Sequence, residues 1–414
     1  MPPLIVTDSS YQFVPPHEGN LWPRLLSWYA MRLMKSRFGI TELEIRDADK
    51  LASLVANGDG ILLAPNHCRT SDSLVLQGLS RKIGQPFFVM ASSHLFRGSR
   101  FMKWVLRRTG AFSVYREGLD RQALDTAIDI LVKGKRPLVV FPEGALSQSN
   151  DRLNALMDGV SFIARTAARK LEKQSAEPRR QVYMVPIAIR FLFVGDLKQT
   201  VSPMLEEIER RLSWRTQSDL PLVERIYKVG NALLGLKETE YLGNPQPGDI
   251  AQRLQGLIDQ LLCPLETEWL KGRKNESVIN RVKELRRVIV PDMIDHAHDS
   301  KPLTQTELDR RWRQLEDMEL AQTLSLYPKE YIASKPTVDR ILETVERMAE
   351  NLSGQEQAHG PMKVIVQIGD PFPVTAKRDR SGTGDPILNG LETQLTSMLA
   401  GLSDESRMHE DTAR

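Results

Sequence analysis

Residues 62–74 read LLAPNHCRTSDSL. An apolar run ends in Pro65-Asn66-His67, a polar turn follows, and Asp72 stands five residues after the histidine, between Ser71 and Ser73. A short apolar run bounded by turn residues reads as a buried strand, and Ser71 or Thr70 is a natural cap for a helix that begins beside Asp72. On one continuous helix five residues turn through about 500°, which leaves the two side chains about 140° apart. They meet only if His67 lies on the loop leaving the strand and Asp72 on the first turn of the helix. The carboxylate then accepts the Nδ1 proton, fixes the imidazole tautomer and leaves Nε2 as a general base. A structural histidine beside a capping aspartate fits the same spacing. No Gly-x-Ser-x-Gly elbow accompanies the pair, so such a base would act on a hydroxyl of the substrate itself.

Working outward, further apolar runs end in turn residues at Ile61–Ala64, Phe87–Met90, Leu138–Phe141 and Val182–Ile189, with helical patterns between them. Strand alternating with helix predicts an α/β domain with a mixed, mainly parallel sheet flanked by helices. Pro186 inside VYMVPIAI predicts an edge, a bulge or a strand start there. From about residue 195 to 360 the chain is helix after helix, with no evident sequence repeat. MKVIVQIGDPFP (362–373) reads again as a strand with a Gly-Asp-Pro turn, and a last amphipathic helix is expected from about Pro386 to Leu402. The expected organisation is an N-terminal extension (1–19), an α/β domain (20–194) interrupted by a large all-helical insertion (195–360) and resumed at 361–402, and a disordered tail (403–414).

The chain has 414 residues, 41% hydrophobic and 26% charged, which excludes disorder throughout. Its two cysteines, Cys68 and Cys263, build no disulfide framework, and a reducing, cytoplasmic setting is expected. No apolar run approaches the roughly 18 to 20 residues that span a bilayer. The net charge of +3 hides an asymmetry: residues 20–140 carry 19 Lys and Arg against 10 Asp and Glu. Within them, NLWPRLLSWYAMRLMKSR (20–37) spaces Leu21, Leu25, Trp28, Met31 and Met34 helically among Arg24, Arg32, Lys35 and Arg37. It reads as a basic amphipathic helix, either interfacial, with Trp22, Trp28 and Tyr29 at headgroup level, or packed on the core. Arg97, Arg100, Lys103, Arg107 and Arg108 form a second basic run, which reads either as a solvated basic face or as a contact for anionic headgroups and other phosphates. Nucleic acid is disfavoured, because no binding motif or stacking array accompanies the charge. The acid and histidine cluster Asp292, Asp295, His296, His298 and Asp299 reads as a solvated loop rather than a metal site.

Three further pieces follow the His67 stretch in order. GAFSVYR (110–116) is a short strand ending in Arg116, a residue type suited to bidentate phosphate binding. VVFPEG (139–144) ends a buried strand in an acidic, glycine-containing turn, and the Val182–Ile189 strand carries Pro186. Together these resemble the glycerolipid acyltransferase family that includes 1-acylglycerol-3-phosphate acyltransferases. The likeness rests on Asn66, His67 and Asp72, on Gly110 and Arg116, on Phe141 to Gly144, and on Val185 to Ile187. It covers roughly residues 20–194 and resumes at VIVQIGDPFPV.

The resemblance implies an O-acyltransferase that moves a fatty acyl group from acyl-CoA or acyl carrier protein to a hydroxyl of a lysophospholipid, without a cofactor or metal, as a peripheral protein on an anionic membrane surface. It implies His67 as general base and Asp72 as its orienting partner. Arg116 would hold the acceptor phosphate, with Glu143, Gly144, Asn66 and Gly110 completing the substrate-binding set. Two departures stand out: Arg69 replaces the serine many members have two residues after the histidine, and Ala145-Leu146 replaces Thr-Arg after the third motif. Arg69 is therefore expected to take over the missing arginine's contact. A non-phosphate acceptor, or a non-catalytic lipid-binding relative with the helical insertion as interaction module, are the alternatives.

Overall fold

The computed structural model describes residues 11–174, 180–275, 277–294, 303–328, 330–377 and 384–410. Along the chain come α1 (Leu21–Phe38), β1 (Ile40–Arg46), α2 (Ala48–Asn57), β2 (Gly60–Pro65), α3 (Asp72–Ile83), β3 (Phe88–Ser92), α4 (Arg100–Arg108), β4 (Ala111–Val114), α5 (Arg121–Lys133), β5 (Leu138–Val139), α6 (Asp158–Lys173) and β6 (Val182–Phe193). A helical stretch follows: α7 (Leu197–Arg211), α8 (Leu222–Leu242), α9 (Ile250–Leu270), α10 (Val278–Ile289), α11 (Pro291–Ile294), α12 (Gln305–Ser325), α13 (Tyr331–Ser334) and α14 (Val338–Ser353). The chain ends with β7 (Met362–Ile368), β8 (Phe372–Pro373) and α15 (Pro386–Ser403).

Two compact units result. One holds residues 11–194 and 360–405, the other the described parts of 195–359 and 406–410. The first is built on one sheet in the order β1-β7-β6-β2-β5-β3-β4, with β8 also paired to β6. All neighbours are parallel except β6, which meets β7 and β8 antiparallel. This is the mixed, mainly parallel sheet flanked by helices that the alternating pattern predicts. β2 is buried at all six positions, so its sequence is continuously apolar. β1 (ITELEIR) is an edge strand, half exposed and polar, which is why no apolar run announces it.

Pro186 lies neither at an edge nor at a strand start. It sits inside the central strand β6, where the antiparallel partner changes from β8, opposite Tyr183 and Met184, to β7, opposite Ile187. The missing N–H falls at this break in the ladder, the position where it costs least.

The N-terminal extension is integral to the first unit from Tyr11 onward. Val14 is buried and exchanges bonds with Ser113, its N–H reaching Ser113 Oγ at 2.8 Å and its carbonyl accepting from Ser113 N at 3.1 Å. Tyr11 stacks on Tyr115 at 5.3 Å, so the segment covers the edge strand β4. The expected disorder after residue 403 is corrected for residues 404–410. Glu405 pairs with Arg46, Ser406 Oγ donates to the Asp339 carboxylate, and Arg407 O and Pro336 O join the tail to the start of α14. A polar composition is no bar to order when hydrogen-bonding partners await these groups.

In the helical unit one device recurs. Glu209 accepts Arg225 Nε and Nη2, each at 2.7 Å; Glu238 accepts the same two atoms of Arg253 at 3.0 and 2.7 Å; Glu266 accepts those of Arg281 at 2.7 and 3.0 Å. The first two glutamates also accept a turn amide, Gln217 N and Gln246 N. Each pair clamps the end of one helix to the first turn of the next. The sequence carries the trace: ETEYL at 238–242 and ETEWL at 266–270 are 28 residues apart, as are Arg253 and Arg281. The repeat escapes a composition scan because few positions per copy are fixed. Residues 295–299 of the acid and histidine cluster lie outside the described residues.

All three glutamates are buried. Burial works against ionisation of Glu238, yet Arg253 and the Gln246 amide hold its carboxyl below the ordinary range. Arg253→Ala strands that carboxylate without its partner, so it should lower the stability of the helical unit by about 3 kcal/mol. Thermal unfolding is the measurement. Replacing both partners, Glu238→Leu with Arg253→Met, should recover most of the loss; a double variant as unstable as the single one would contradict the clamp.

Candidate active site

β2 ends at Pro65, between β5 on one side and β6 on the other. At the carboxyl ends of these parallel strands the loops converge, the usual place for a site in such sheets. Asn66 leaves β2 wholly buried. Its amide makes a two-point bond to β6, Nδ2 donating to Ile189 O at 3.1 Å and Oδ1 accepting Ile189 N at 2.7 Å. It thus continues the ladder for one more residue and fixes where His67 begins.

His67 then turns back toward α3. Its Nδ1 lies 2.9 Å from Asp72 Oδ2; the imidazole is 21% exposed and the aspartate side chain wholly buried. The tight turn that brings them together is also held by Asp72, whose Oδ2 accepts Arg69 N at 3.0 Å and whose Oδ1 accepts the Cys68 thiol at 3.7 Å. Ser71 makes no side-chain capping bond; Asp72 stands at the first position of α3, where the helix dipole favours its charge. With Nδ1 donating to the carboxylate, Nε2 carries the lone pair that can take a proton.

The imidazole is fixed from two more directions. Phe141, just after β5, stacks on it with centroids 3.9 Å apart and planes at 24°. Glu143 reaches the backbone: Oε1 accepts His67 N at 2.7 Å and Oε2 accepts Asn154 N at 2.8 Å, while Ser147 N donates to His67 O at 2.8 Å. Sequence reading placed Glu143 among the acceptor-binding groups. Its side chain is instead fully enclosed, with both oxygens engaged by main-chain amides, so it ties the loop after β5 to the histidine.

Gly110 and Asn66 are likewise framework. At Gly110 φ is +99°, and a Cβ would lie 2.4 Å from Arg136 Nη2 and 2.6 Å from Phe87 O. Gly144, with φ +66°, leaves no room for a Cβ against Met157 Sδ, and its carbonyl accepts a bond from Arg116 Nη2. Arg116 is therefore drawn to the Phe-Pro-Glu-Gly turn. Arg69 holds its guanidinium 5.4 Å over the Phe191 ring on β6. His67, Asp72, Arg69, Arg116 and the 141–144 turn thus gather at one end of the sheet.

Residues that motif reading missed complete the frame. The loop after β5 is stapled to β6 by Asn150 Oδ1, which accepts Phe191 N at 2.9 Å, and by the pair between Asp151 and the wholly buried Arg190. The signal for Arg190 was a lone arginine in an otherwise apolar strand, which needs a carboxylate partner. Among the described residues no group of three or more His, Cys, Asp or Glu is placed to hold a metal ion.

Residues 42–190 match the family model described as Acyltransferase. Over 107 residues the chain is 36% identical to a 1-acyl-sn-glycerol-3-phosphate acyltransferase of Streptococcus pneumoniae (strain ATCC BAA-255 / R6), a match that covers 26% of this chain and 37% of that relative. The chain therefore spans little more than a third of the relative it matches. The segment matched by the family model runs from β1 into β6 and contains His67, Asp72, Arg116 and Glu143.

Burial pushes the Glu143 carboxyl up to about 8, against the opposing pull of the Asn154 and His67 amides. A carboxyl raised on folding contributes stability that is complete below its unfolded value, near 4.5, and is lost as pH rises through about 8. The melting temperature of wild-type protein should therefore fall between pH 5 and 8.5 more steeply than that of Glu143→Gln. Thermal melts at both ends of the range check this; parallel slopes would contradict it.

Proposed function

Starting from an α/β unit whose residues 42–190 match the acyltransferase family model, we propose that this chain is an O-acyltransferase. It moves a fatty acyl group from a thioester of coenzyme A or acyl carrier protein to a hydroxyl of a glycerol phosphate-type lysolipid. It works from the cytoplasmic side, at an anionic membrane surface. The observation that carries this reading is the His67–Asp72 bond, a partly exposed imidazole over a buried carboxylate at the carboxyl end of β2.

The steps balance without a cofactor, since the acyl donor is a substrate. His67 Nε2 takes the proton of the acceptor hydroxyl as its oxygen attacks the thioester carbonyl. Asp72 holds the resulting imidazolium in place through Nδ1. The tetrahedral oxyanion collapses, the C–S bond breaks, and the leaving thiolate takes the proton back from the imidazolium. A positioned base of this kind supplies roughly 10²- to 10⁴-fold. The rest comes from holding acceptor and thioester in line.

Arg116, beside the Gly144 carbonyl, and Arg69, above Phe191, are the cations assigned to the acceptor phosphate. An acceptor without phosphate is the second reading, favoured by Leu146 standing where family members have an arginine. The same assay separates the two. Purified protein is incubated with acyl-CoA or acyl carrier protein thioester and either a lysophosphatidate or a neutral monoacylglycerol. Wild-type activity should exceed that of His67→Ala by about 10²-fold or more. Wild-type protein no more active than the variant with any of these pairs would sink the enzymatic reading and favour a lipid-binding relative. Arg116→Ala should raise KM for the phosphorylated acceptor several-fold and leave KM for the acyl donor nearly unchanged; equal effects on both would remove its assigned role.

A further inference from the structure

α1 and α4 both belong to the first unit, and both expose apolar side chains that a water-facing helix has no reason to carry. The core takes Pro23, Ser27, Ala30 and Met34 from α1, not the stripe of larger residues. Leu21, Leu25, Trp28 and Tyr29 are left outside, Leu21 66% and Trp28 63% exposed. None of the nine residues of α4 is buried, and Phe101 is 70% exposed. The two helices meet through Trp22 and Trp104, edge to face at 5.0 Å, with Phe101 stacked on Trp104. The Arg108 guanidinium lies 5.6 and 5.7 Å from the two indoles. The ring contacts join the exposed apolar residues of the two helices into one surface rather than leaving them scattered singly.

Its charge is of one sign. Each helix carries four Arg or Lys and no Asp or Glu. On α1, Arg24, Arg32 and Lys35 fall on the same side as Leu21, Leu25 and Trp28 at 100° per residue.

We infer that α1 and α4 together form a docking surface for an anionic lipid bilayer, with Leu21, Leu25, Trp28 and Phe101 entering the acyl boundary and the surrounding cations meeting headgroup phosphates. Charge complementarity selects this occupant. A second copy would set eight cations against eight. A bilayer accepts apolar side chains and cations from one flat face, with aromatic rings at the interface between them. Each basic residue at such a surface is worth about a fivefold change in affinity. The inference deepens the membrane setting of the proposed function, and it rests on that reading for its purpose, bringing the site to its lipid substrates, while the surface itself is argued from exposure and charge.

Full-length protein is sedimented with vesicles of phosphatidylcholine alone and of phosphatidylcholine with phosphatidylglycerol. Binding should rise with the phosphatidylglycerol fraction and weaken with salt. Trp28→Ser with Phe101→Ser should lower the partition coefficient about tenfold or more, and Arg100→Glu with Lys103→Glu should remove the preference for anionic vesicles. All four positions are exposed, so the melting temperature should stay unchanged, which separates lost docking from lost folding. His67→Ala should bind as wild type does, so that failed docking and failed catalysis are read separately. Three results would overturn the inference: no binding to either vesicle, equal binding by the Trp28/Phe101 variant, or a concentration-dependent dimer in sedimentation velocity that this variant abolishes.

Discussion

A carboxylate with no solvent access must be given hydrogen-bond donors, and the way Asp72 obtains them shapes the whole α/β unit. Its donors are the imidazole of His67, the thiol of Cys68 and the backbone amide of Arg69, all within five residues upstream. A turn that tight cannot satisfy its own outward-facing groups. Glu143 and Ser147 serve the amide and carbonyl of His67, and Asn66 locks the start of the turn to β6. Those partners lie within reach only if β5 and β6 flank β2 and run parallel to it, so that their loops open at the same end. The central strand order β6-β2-β5 is thus the arrangement in which one buried charge is fully satisfied.

This division of labour separates motif from mechanism. Asn66, Gly110 and Glu143 sit at positions where the resemblance implied contact with substrate, yet their geometry is spent on backbone: a ladder extension, a close approach to Phe87 O, and a bridge between two amides. Side chains left partly open to solvent are fewer, and among the implied site residues they are His67, Arg69 and Arg116. On the proposed reading a motif of short pieces is mostly scaffolding, with the chemistry resting on one histidine held from three sides by Asp72, Phe141 and Glu143. Phe141 contributes in a way that spacing alone does not reveal, because stacking depends on where two strand ends meet.

The alternating pattern made the sheet legible because strands enclosed on both faces are written as plain apolar runs, as β2 and β6 are. β1 was hidden, since an edge strand half in water has no such run. The His67–Asp72 pairing could be argued from the turn geometry of five residues, whereas the role of Glu143 could not: an acid beside a glycine looks the same whether it faces a ligand or two amides. The helical insertion was legible as helices but not as a repeat. Its clamps are made of a glutamate and an arginine some 15 residues apart, and ordinary amphipathic sequence fills the space between.

α1 shows why periodicity can name an element and still leave its buried face open. Both sides of the helix carry apolar residues, and the side that is buried, chiefly against α3 and also against β1, is that of Pro23, Ser27, Ala30 and Met34. The large residues were left to whatever lies outside, together with the cations. Arg69 and Arg116 at the candidate site and the eight cations of α1 and α4 all fall within residues 20–140, the part of the chain with the strong excess of positive charge. A field of one sign over both regions raises the local concentration of any anion, whether a lipid headgroup or a phosphorylated acceptor. On the proposed reading, the charge asymmetry and the exposed apolar face of α1 then have a single cause: an enzyme whose substrate is also its surface must be positive and apolar on the same side.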